Sequence, residues 1–387
     1  MERMLPSEEA ARRLGVKVTT LYAYVSRGLL ESHPEPGGRR SLFDLADLDR
    51  LAVRQRGAKQ VESRLATITT GVTQLRDDGP YYRGRAATEL ATTASFEEVA
   101  ALLWETDEEG EWEAPELGEC PLTDVADRMR WAMVMCGATD PLRSDLRPAA
   151  VTRAARRAIA ALTETVGSAP GRAGLGDGST IAQRLAHYLS EGTESPGSSI
   201  SAPALNAALV LMADHELAMS TMAVRIAACT RADIYDGLLA GLATLAGPLH
   251  GVAAQRAYEL LLAVERDGAG RALNDVLSWH NRLPGFGHKI YKDLDPRFAP
   301  LWSLAAPLLT EERRQLFDEV LELAAAHHVP APNCDLALAA LSWGGAMPPD
   351  AGRTIFTVAR LAGWTAHYQE ELLEQPLRFR ARAIYTV

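Results

Sequence analysis

Four cysteines in 387 residues, Cys120, Cys136, Cys229 and Cys334, are too few and too scattered for a disulfide framework. No Cys-x-x-Cys pair is present to begin a zinc site, so no metal is expected and the thiols read as buried and free. No uninterrupted apolar run approaches the roughly 18 residues that cross a bilayer. The opening MERMLPSEEAARRLG places Glu8, Glu9, Arg12 and Arg13 where a signal peptide would be apolar, so a cytoplasmic protein is expected. Gly174-Leu-Gly-Asp-Gly178 imitates a phosphate loop but lacks the Gly-x-Gly-x-x-Gly spacing, a preceding strand and the Walker Lys-Ser/Thr, which excludes nucleotide binding there. No internal repeat of fixed period is visible. What is present is an ordinary globular balance, 47% apolar and 23% charged, on a chain longer than one compact core usually holds. Two or three domains follow.

The net charge of −10 is unevenly spread. Residues 1–59 carry 11 Lys and Arg against 8 Asp and Glu, a net of +3, which leaves −13 on the remainder. Any nucleic-acid contact is therefore confined to the head. There Ser7 is expected to cap a helix over Ser7–Leu14, with two acids in its first turn and Gly15 as its stop. Thr19 is expected to cap a second helix over Thr20–Arg27, ended by Gly28. Ala10, Leu14, Val16, Leu21 and Val25 are spaced to pack the two together as a helix-turn-helix. Lys17, Thr19, Thr20, Tyr22, Tyr24 and Arg27 would face outward, suited to phosphates and base edges. Gly37-Gly38-Arg39-Arg40 reads as a basic hairpin tip, followed by a third helix over Leu45–Leu51 and a solvated linker over Val53–Gln60. These 55 or so residues resemble the winged helix-turn-helix domains of the MerR and excisionase families. The resemblance implies DNA binding, with Arg39 and Arg40 on the wing; a docking or dimerisation module that keeps the fold without DNA affinity is the alternative.

From Ser95 onward the pattern is helical almost throughout: apolar residues recur at three and four, alanine is abundant and β-branched runs are scarce. Gly167–Thr180 and Gly192–Ser201, rich in Gly, Ser and Pro, read as loops. Three histidines stand out. His215 lies in Ala213-Asp-His-Glu216, read as the polar start of a helix; His250 lies in Gly247-Pro-Leu-His-Gly251, whose glycines would let backbone approach a ligand; His288 lies in Pro284-Gly-Phe-Gly-His288. Arg297 follows in Asp295-Pro-Arg297 and Asp335 in Pro332-Asn-Cys-Asp335. Two histidines, an acid and several arginines point to acid–base chemistry on a carboxylate-bearing substrate.

In order along the chain, these segments resemble the citrate synthase family. The likeness begins at Ile68-Thr-Thr-Gly71, Tyr82-Arg-Gly84 and Phe96-Glu-Glu-Val-Ala100 and runs through the three histidine motifs. It closes with Gly363-Trp-Thr-Ala-His367 and Phe379-Arg-Ala-Arg-Ala-Ile-Tyr385, covering about 320 residues. It implies a mainly α-helical homodimer, with a helix-turn-helix domain and linker over 1–60, a large helical domain over 61–251 and 346–387, and a small one over 252–345. The implied reaction is a step of the tricarboxylic acid cycle: condensation of acetyl-CoA with oxaloacetate, then hydrolysis of the thioester to citrate and CoA. No permanently bound cofactor is implied; the acyl-CoA is a co-substrate.

The resemblance assigns Asp335 as the base, His250 as the neutral donor to the thioester oxygen and His288 as the group that polarises the ketone. A helix N-terminus behind His250 is expected to depress its pKa. Oxaloacetate would meet His215, His288, Arg297 and Arg360, with Arg380 supplied by the partner subunit. CoA would meet the Leu283, Pro284, Gly285, Phe286 and Gly287 backbone and Lys292. The chain departs from the family pattern at Gly251-Val-Ala-Ala254, where Gly-Gly-Ala-Asn is common, and at Ala218 or Met219, where Asn is frequent. It departs again at Ala381, where proline is common, and after Asp335, which runs on as Leu-Ala-Leu-Ala. These leave substrate choice open. A 2-methylcitrate synthase using propionyl-CoA and a DNA-binding regulator with a synthase-like receptor body are the alternatives.

Overall fold

The computed structural model describes residues 4–26, 29–34, 41–45, 47–48, 51, 68–107, 110–167, 178–190, 200–279, 282–380 and 385. The chain forms two compact units, Met1–Thr69 and Thr70–Val387.

In the first unit, strand β1 (Met4–Pro6) feeds directly into α1 (Ser7–Leu14), and α2 (Val18–Ser26) follows. β2 (His33–Pro34) and β3 (Ser41–Asp44) pair antiparallel, and β3 also pairs with β1. Two expectations are corrected here. Ser7 does not cap α1; Pro6 holds that place with no side-chain cap, because pairing of β1 with β3 fixes the entry. Thr19 does not cap α2 either, since the helix begins at Val18 and Thr19 sits in its first turn. Gly15 ends α1 at φ 66, with its N–H on Ala11 O and Arg12 O. Ala10, Leu21, Leu30, Phe43 and Leu48 are buried together, with Leu14 and Val25 packed against them. Lys17, Thr19 and Tyr22 are exposed and Thr20 is half-buried. The expected contacts Arg27, Arg39 and Arg40 and the linker lie outside the described residues, as does part of the third helix; Leu45, Asp47, Leu48 and Leu51 are helical.

The second unit opens with an antiparallel meander, β4 (Thr73–Arg76), β5 (Gly79–Tyr82) and β6 (Arg85–Ala86), in which Thr73 faces Tyr82. Helices then follow one another. They are α3 (Ala87–Thr93), α4 (Phe96–Trp104), α5 (Val125–Thr139), α6 (Pro148–Glu164), α7 (Ile181–Leu189) and α8 (Ala202–Met212). After these come α9 (Met219–Cys229), α10 (Ile234–Leu245), α11 (Ala253–Asp267), α12 (Ala269–Trp279) and α13 (Phe298–Ala305). The series closes with α14 (Glu311–Ala326), α15 (Cys334–Gly344) and α16 (Ala351–Leu372). Side-chain caps set many of the starts: Ser95 and Thr180 each form a reciprocal capping box, with Glu98 and Gln183, and Asp124, Asp233, Thr310 and Asn333 accept from first-turn N–H groups. The expected Gly167–Thr180 and Gly192–Ser201 loops lie mostly outside the described residues; their described ends, Thr180 and Ser201, cap α7 and α8. No helix among the described residues is long and apolar enough to cross a membrane.

The core is organised on α16. This 22-residue helix is buried on nearly every side, from Ala351 to Tyr368, and packs against α4, α6, α8, α9, α10 and α11. A second apolar cluster, Leu260, Val264, Leu273, Leu283 and Val320 among them, joins α11, α12 and α14. Where α16 meets the end of α8 the approach is closest. The Gly363 N–H donates to Ala213 O at 3.1 Å, and a Cβ on Gly363 would stand 2.3 Å from Asp214 Oδ1 and 2.5 Å from Ala213 O. Gly363→Ala should therefore overpack the core and cost about 1–3 kcal/mol, lowering the urea midpoint with little change in the slope.

Candidate active site

The site starts at the N-terminus of α15. Asn333 Oδ1 accepts from Asp335 N (3.0 Å) and Leu336 N (3.4 Å), which fixes the first turn that carries Asp335. The same side chain donates through Nδ2 to Gly287 O at 2.8 Å. Gly287 N donates to Ala331 O and Asn333 N to Gly285 O. The Leu283–Gly287 segment is thereby stitched to the strand-like approach to α15, and a bridge pairs Phe286 with Pro332. His288 follows at once. Its Nδ1 accepts from the backbone N–H of Ile290 and of Tyr291, each at 3.1 Å. A backbone N–H can only donate, so the neutral ring carries its proton on Nε2. That edge lies 3.4 Å from Arg297 NH2, two donors side by side where an oxygen could be received.

Arg297 is buried and held by Asp295, which accepts from its Nε (3.0 Å), NH2 (2.9 Å) and backbone N (3.1 Å). Asp295 also accepts from Cys334 N at 3.0 Å, tying the arginine to the start of α15. Burial would raise the Asp295 pKa, but Arg297 drives it far below the carboxylate range, so the pair is ionised.

The other side of the site comes from α16, the α8–α9 turn and the α10–α11 turn. Arg360 is buried, donates through Nε to Met212 O at 3.0 Å and lies 4.6 Å from the Phe356 ring. No ion pair within 4 Å answers it among the described residues, and burial lowers its pKa even though Asp214 raises it. His215 lies in the turn before α9, not at the start of the helix, because Ala218 precedes the first turn and Glu216 adopts φ 57. Its ring meets His288 edge-on at 5.2 Å, and its Nε2 is buried with no hydrogen-bond partner among the described residues. Burial, then Arg297 and Arg360, push its pKa well down.

His250 occupies the turn before α11, with Nε2 2.8 Å from the Oγ of buried Ser220. Its pKa is lowered by burial first and by Arg360 second. The helix whose N-terminus is expected behind it is α11, which begins at Ala253. The turn itself demands glycine at 251, where a Cβ would stand 2.1 Å from Leu245 O. Burial and Arg297 take His288 down to about 4, leaving it neutral at pH 7. Asp335 moves the other way. Burial raises it to about 6, with Arg297 opposing, and no hydrogen bond or ion pair holds its carboxylate among the described residues.

His215, His288, Arg297, Asp335 and Arg360 thus converge, and His250 joins them through Arg360. Lys292 is exposed beside this cluster, with Nζ on Lys289 O. Arg380 does not reach the cluster within one chain; it is exposed beyond a docked tail. Sequence reasoning gave no role to Asn333, Asp295, Ser220 or Tyr291, whose buried hydroxyl lacks a partner and whose ring stacks on His288 at 4.8 Å. Asn333 and Asp295 sit inside quoted motifs and could have been read as a cap and an arginine partner. Ser220, 30 residues before His250, gave no local signal. Two hollows of about 580 and 730 Å³ near Trp104, Trp112 and Tyr188 contain none of these groups. Among the described residues no three His, Cys, Asp or Glu side chains gather as a metal site.

Comparison with known proteins decides the relationship. The family model described as "Citrate synthase, C-terminal domain" matches residues 56–382. The chain belongs to the citrate synthase family. A model described as "Helix-turn-helix domain" matches residues 4–56. Citrate synthase 2 of Bacillus subtilis is 30% identical over 357 residues, 84% of this chain and 95% of that protein. 2-Methylcitrate synthase 2 of Corynebacterium glutamicum is 28% identical, covering 76% of this chain and 87% of its own length. In structure, a citrate synthase from Thermoplasma acidophilum, solved with carboxymethyl coenzyme A and oxaloacetate, aligns with a TM-score of 0.69 at 22% identity, over 84% of this chain and 94% of that one. A citrate synthase from Thermotoga maritima gives 0.67 at the same identity and coverage. Membership of the citrate synthase family makes the chain an enzyme of the acyltransferase class, built on a mainly helical fold with a helix-turn-helix domain in front.

The raised Asp335 pKa carries a sign that stability measurements read. An acid whose folded pKa lies above its unfolded value, near 3.9, weakens the fold once ionised. The penalty is absent below about pH 4 and complete above about pH 6. Asp335→Asn should therefore be more stable than the parent at pH 7.5, by on the order of 2 kcal/mol. The gain should vanish near pH 4, in paired urea titrations.

Proposed function

We propose that the enzyme condenses acetyl-CoA with oxaloacetate and hydrolyses the resulting thioester. The observation that supports this reading best is Arg360, a guanidinium out of water without an ion pair among the described residues, set with Arg297 around two neutral histidines and an acid of raised pKa. Such a site asks for a dianion bearing a carbonyl. Arg297, Arg360 and the unpartnered Nε2 of His215 bind the oxaloacetate carboxylates, and the Nε2–H of His288 points to its ketone oxygen.

Asp335 takes a proton from the acetyl methyl group. A carboxylate near pKa 4 is a poor base for so weak an acid; one near 6 is better matched. With the Ser220 hydroxyl donating to Nε2, His250 keeps its proton on Nδ1 and donates from there to the thioester oxygen as enol charge develops. The enol carbon attacks the ketone carbon, and His288 delivers its Nε2 proton to the oxygen that becomes the hydroxyl. Water then cleaves the thioester, releasing citrate and the CoA thiol. The Leu283–Gly287 backbone and Lys292 meet CoA, and residues 252–345 form the smaller lobe that closes on the substrates. Val252 and Ala254, at the start of α11 beside His250, bear on whether acetyl or propionyl is preferred.

The composite site is part of this reading. The tail is docked by Arg231 on Glu374 O (2.8 Å) and by Leu377 N on Cys229 O (2.9 Å), after which Arg380 is presented outward. Met219 and Ile226 leave apolar area exposed on α9, suited to a second copy. The matched helix-turn-helix domain, with Lys17, Thr19 and Tyr22 exposed, supports a second activity in which the same chain binds DNA. Loss of full-chain binding to mixed-sequence duplex DNA on deletion of residues 1–60 would bear this out, and salt-insensitive or absent binding by the full chain would end it.

Thiol release with oxaloacetate and either acetyl-CoA or propionyl-CoA tests the reaction directly. Asp335→Asn should lose about 10²–10⁴ in turnover while binding oxaloacetate as the parent does; unchanged turnover would remove Asp335 as the base. Arg380→Ala should cost roughly 2–5 kcal/mol in oxaloacetate binding if its pair is buried in the dimer. Mixing Arg380→Ala with Arg297→Ala subunits should restore activity in mixed dimers, since one site there holds both arginines. Tagged mixed dimers without recovered turnover would refute the shared site.

A further inference from the structure

The Gly363-Trp-Thr-Ala-His367 motif lies on α16 just beyond Arg360, and the reaction above makes no use of its histidine. His367 is wholly buried. Its Nδ1 lies 3.1 Å from Arg225 NH1 and its Nε2 3.3 Å from Asp214 Oδ2. A guanidinium can only donate, so Nδ1 accepts and the ring proton sits on Nε2, facing the carboxylate. Asp214 Oδ2 also accepts from Glu216 N at 2.9 Å, within the turn that holds His215. In the other direction, Arg225 Nε donates to Glu371 Oε2 at 2.9 Å and its NH1 to Glu370 Oε2 at 2.5 Å. Glu371 takes both the Nε (2.7 Å) and NH2 (2.6 Å) of Arg378, two residues before Arg380.

We propose that His367 is a positioning residue: its imidazole completes one hydrogen-bonded line from the C-terminal tail to the His215 turn, so that a chain's own oxaloacetate site and the partner's site that its tail would enter are set together. This rests on reading His215, Arg360 and Arg380 as oxaloacetate contacts. Three features separate such a line from a merely satisfied polar core. Among the described residues the two ring nitrogens of His367 join Arg225 to Asp214, with Glu370 Oε2 also 3.9 Å from Nδ1. Its members, with Arg360, balance as three arginines against Asp214, Glu370 and Glu371, so the imidazole is not needed for charge. And Gly363 has no side chain where Asp214 stands, so α16 makes room for the carboxylate. Burial would raise the Asp214 pKa, but His367 and Arg360 hold it down to about 2, and the ionised carboxylate is the acid that faces Arg360.

The test compares full-length wild type with His367→Leu, His367→Gln and Arg378→Gln by amide hydrogen exchange without ligand, and by the KM of each substrate. His367→Leu should speed exchange at Glu216 and Leu377 together. It should raise the KM for oxaloacetate roughly ten-fold, the loss of one charged hydrogen bond, while the KM for acyl-CoA stays put. His367→Gln keeps a donor toward Asp214 and should restore both. Should the leucine variant not fold, Arg378→Gln cuts the line at its solvent end and should still speed exchange at Glu216. Unchanged exchange at Glu216 in Arg378→Gln, or a glutamine variant no better than leucine, overturns the proposal. So does a folded leucine variant with a lowered denaturation midpoint and an unmoved oxaloacetate KM. A wild type that neither binds nor turns over oxaloacetate would retire the substrate reading instead, while the exchange measurements still decide whether the line exists.

Discussion

A guanidinium taken out of water has to be answered by negative charge, and how three of the buried arginines are answered sorts this structure into scaffold and site. Arg225 has Glu370 and Glu371 and is spent on the fold. Arg297 has one partner, Asp295, gripped through two of its nitrogens. Arg360, among the described residues, has a carbonyl at its Nε, the Phe356 ring and Asp214 at a distance. Pairing falls from Arg225 on α9, through Arg297 just before α13, to Arg360 on α16 beside the histidines. Where compensation is incomplete a substrate anion can complete it.

The same economy explains the acid. Asp335 stands in a first helical turn, where the helix dipole ordinarily favours a carboxylate, yet burial overrides this and lifts its pKa to about 6. Arg297 could neutralise it, but Asp295 already occupies that guanidinium and adds its own repulsion. One carboxylate is held firmly ionised while its neighbour is left the stronger base, which is how a single site holds a structural acid and a basic one.

Much of this was legible in the sequence because it is local. The stop at Gly15 and the spacing of apolar residues mark helices within a few positions of where they fall, and the histidine motifs name most of the site. What escaped depends on partners distant in the chain. Ser7 fails as a cap because β1 pairs with β3 some 37 residues away. His215 leaves the helix because Asp214 is drawn toward α16. The lowered His250 pKa comes first from burial that no local pattern records and then from Arg360, over a hundred positions on. Arg380 is named by its motif, but its destination is not written in a single chain.

Asn333 has a consequence that reaches beyond its two sets of hydrogen bonds. Because one side chain both caps the helix bearing Asp335 and holds the loop that leads to His288, those two groups, with Arg297 tied in through Asp295, form a single rigid piece. Any movement that carries one carries all. Assembling a reactive geometry then means placing one body against another, six rigid-body coordinates in all, instead of freezing each side chain separately. Most of the entropy of alignment has been surrendered during folding, before any substrate arrives.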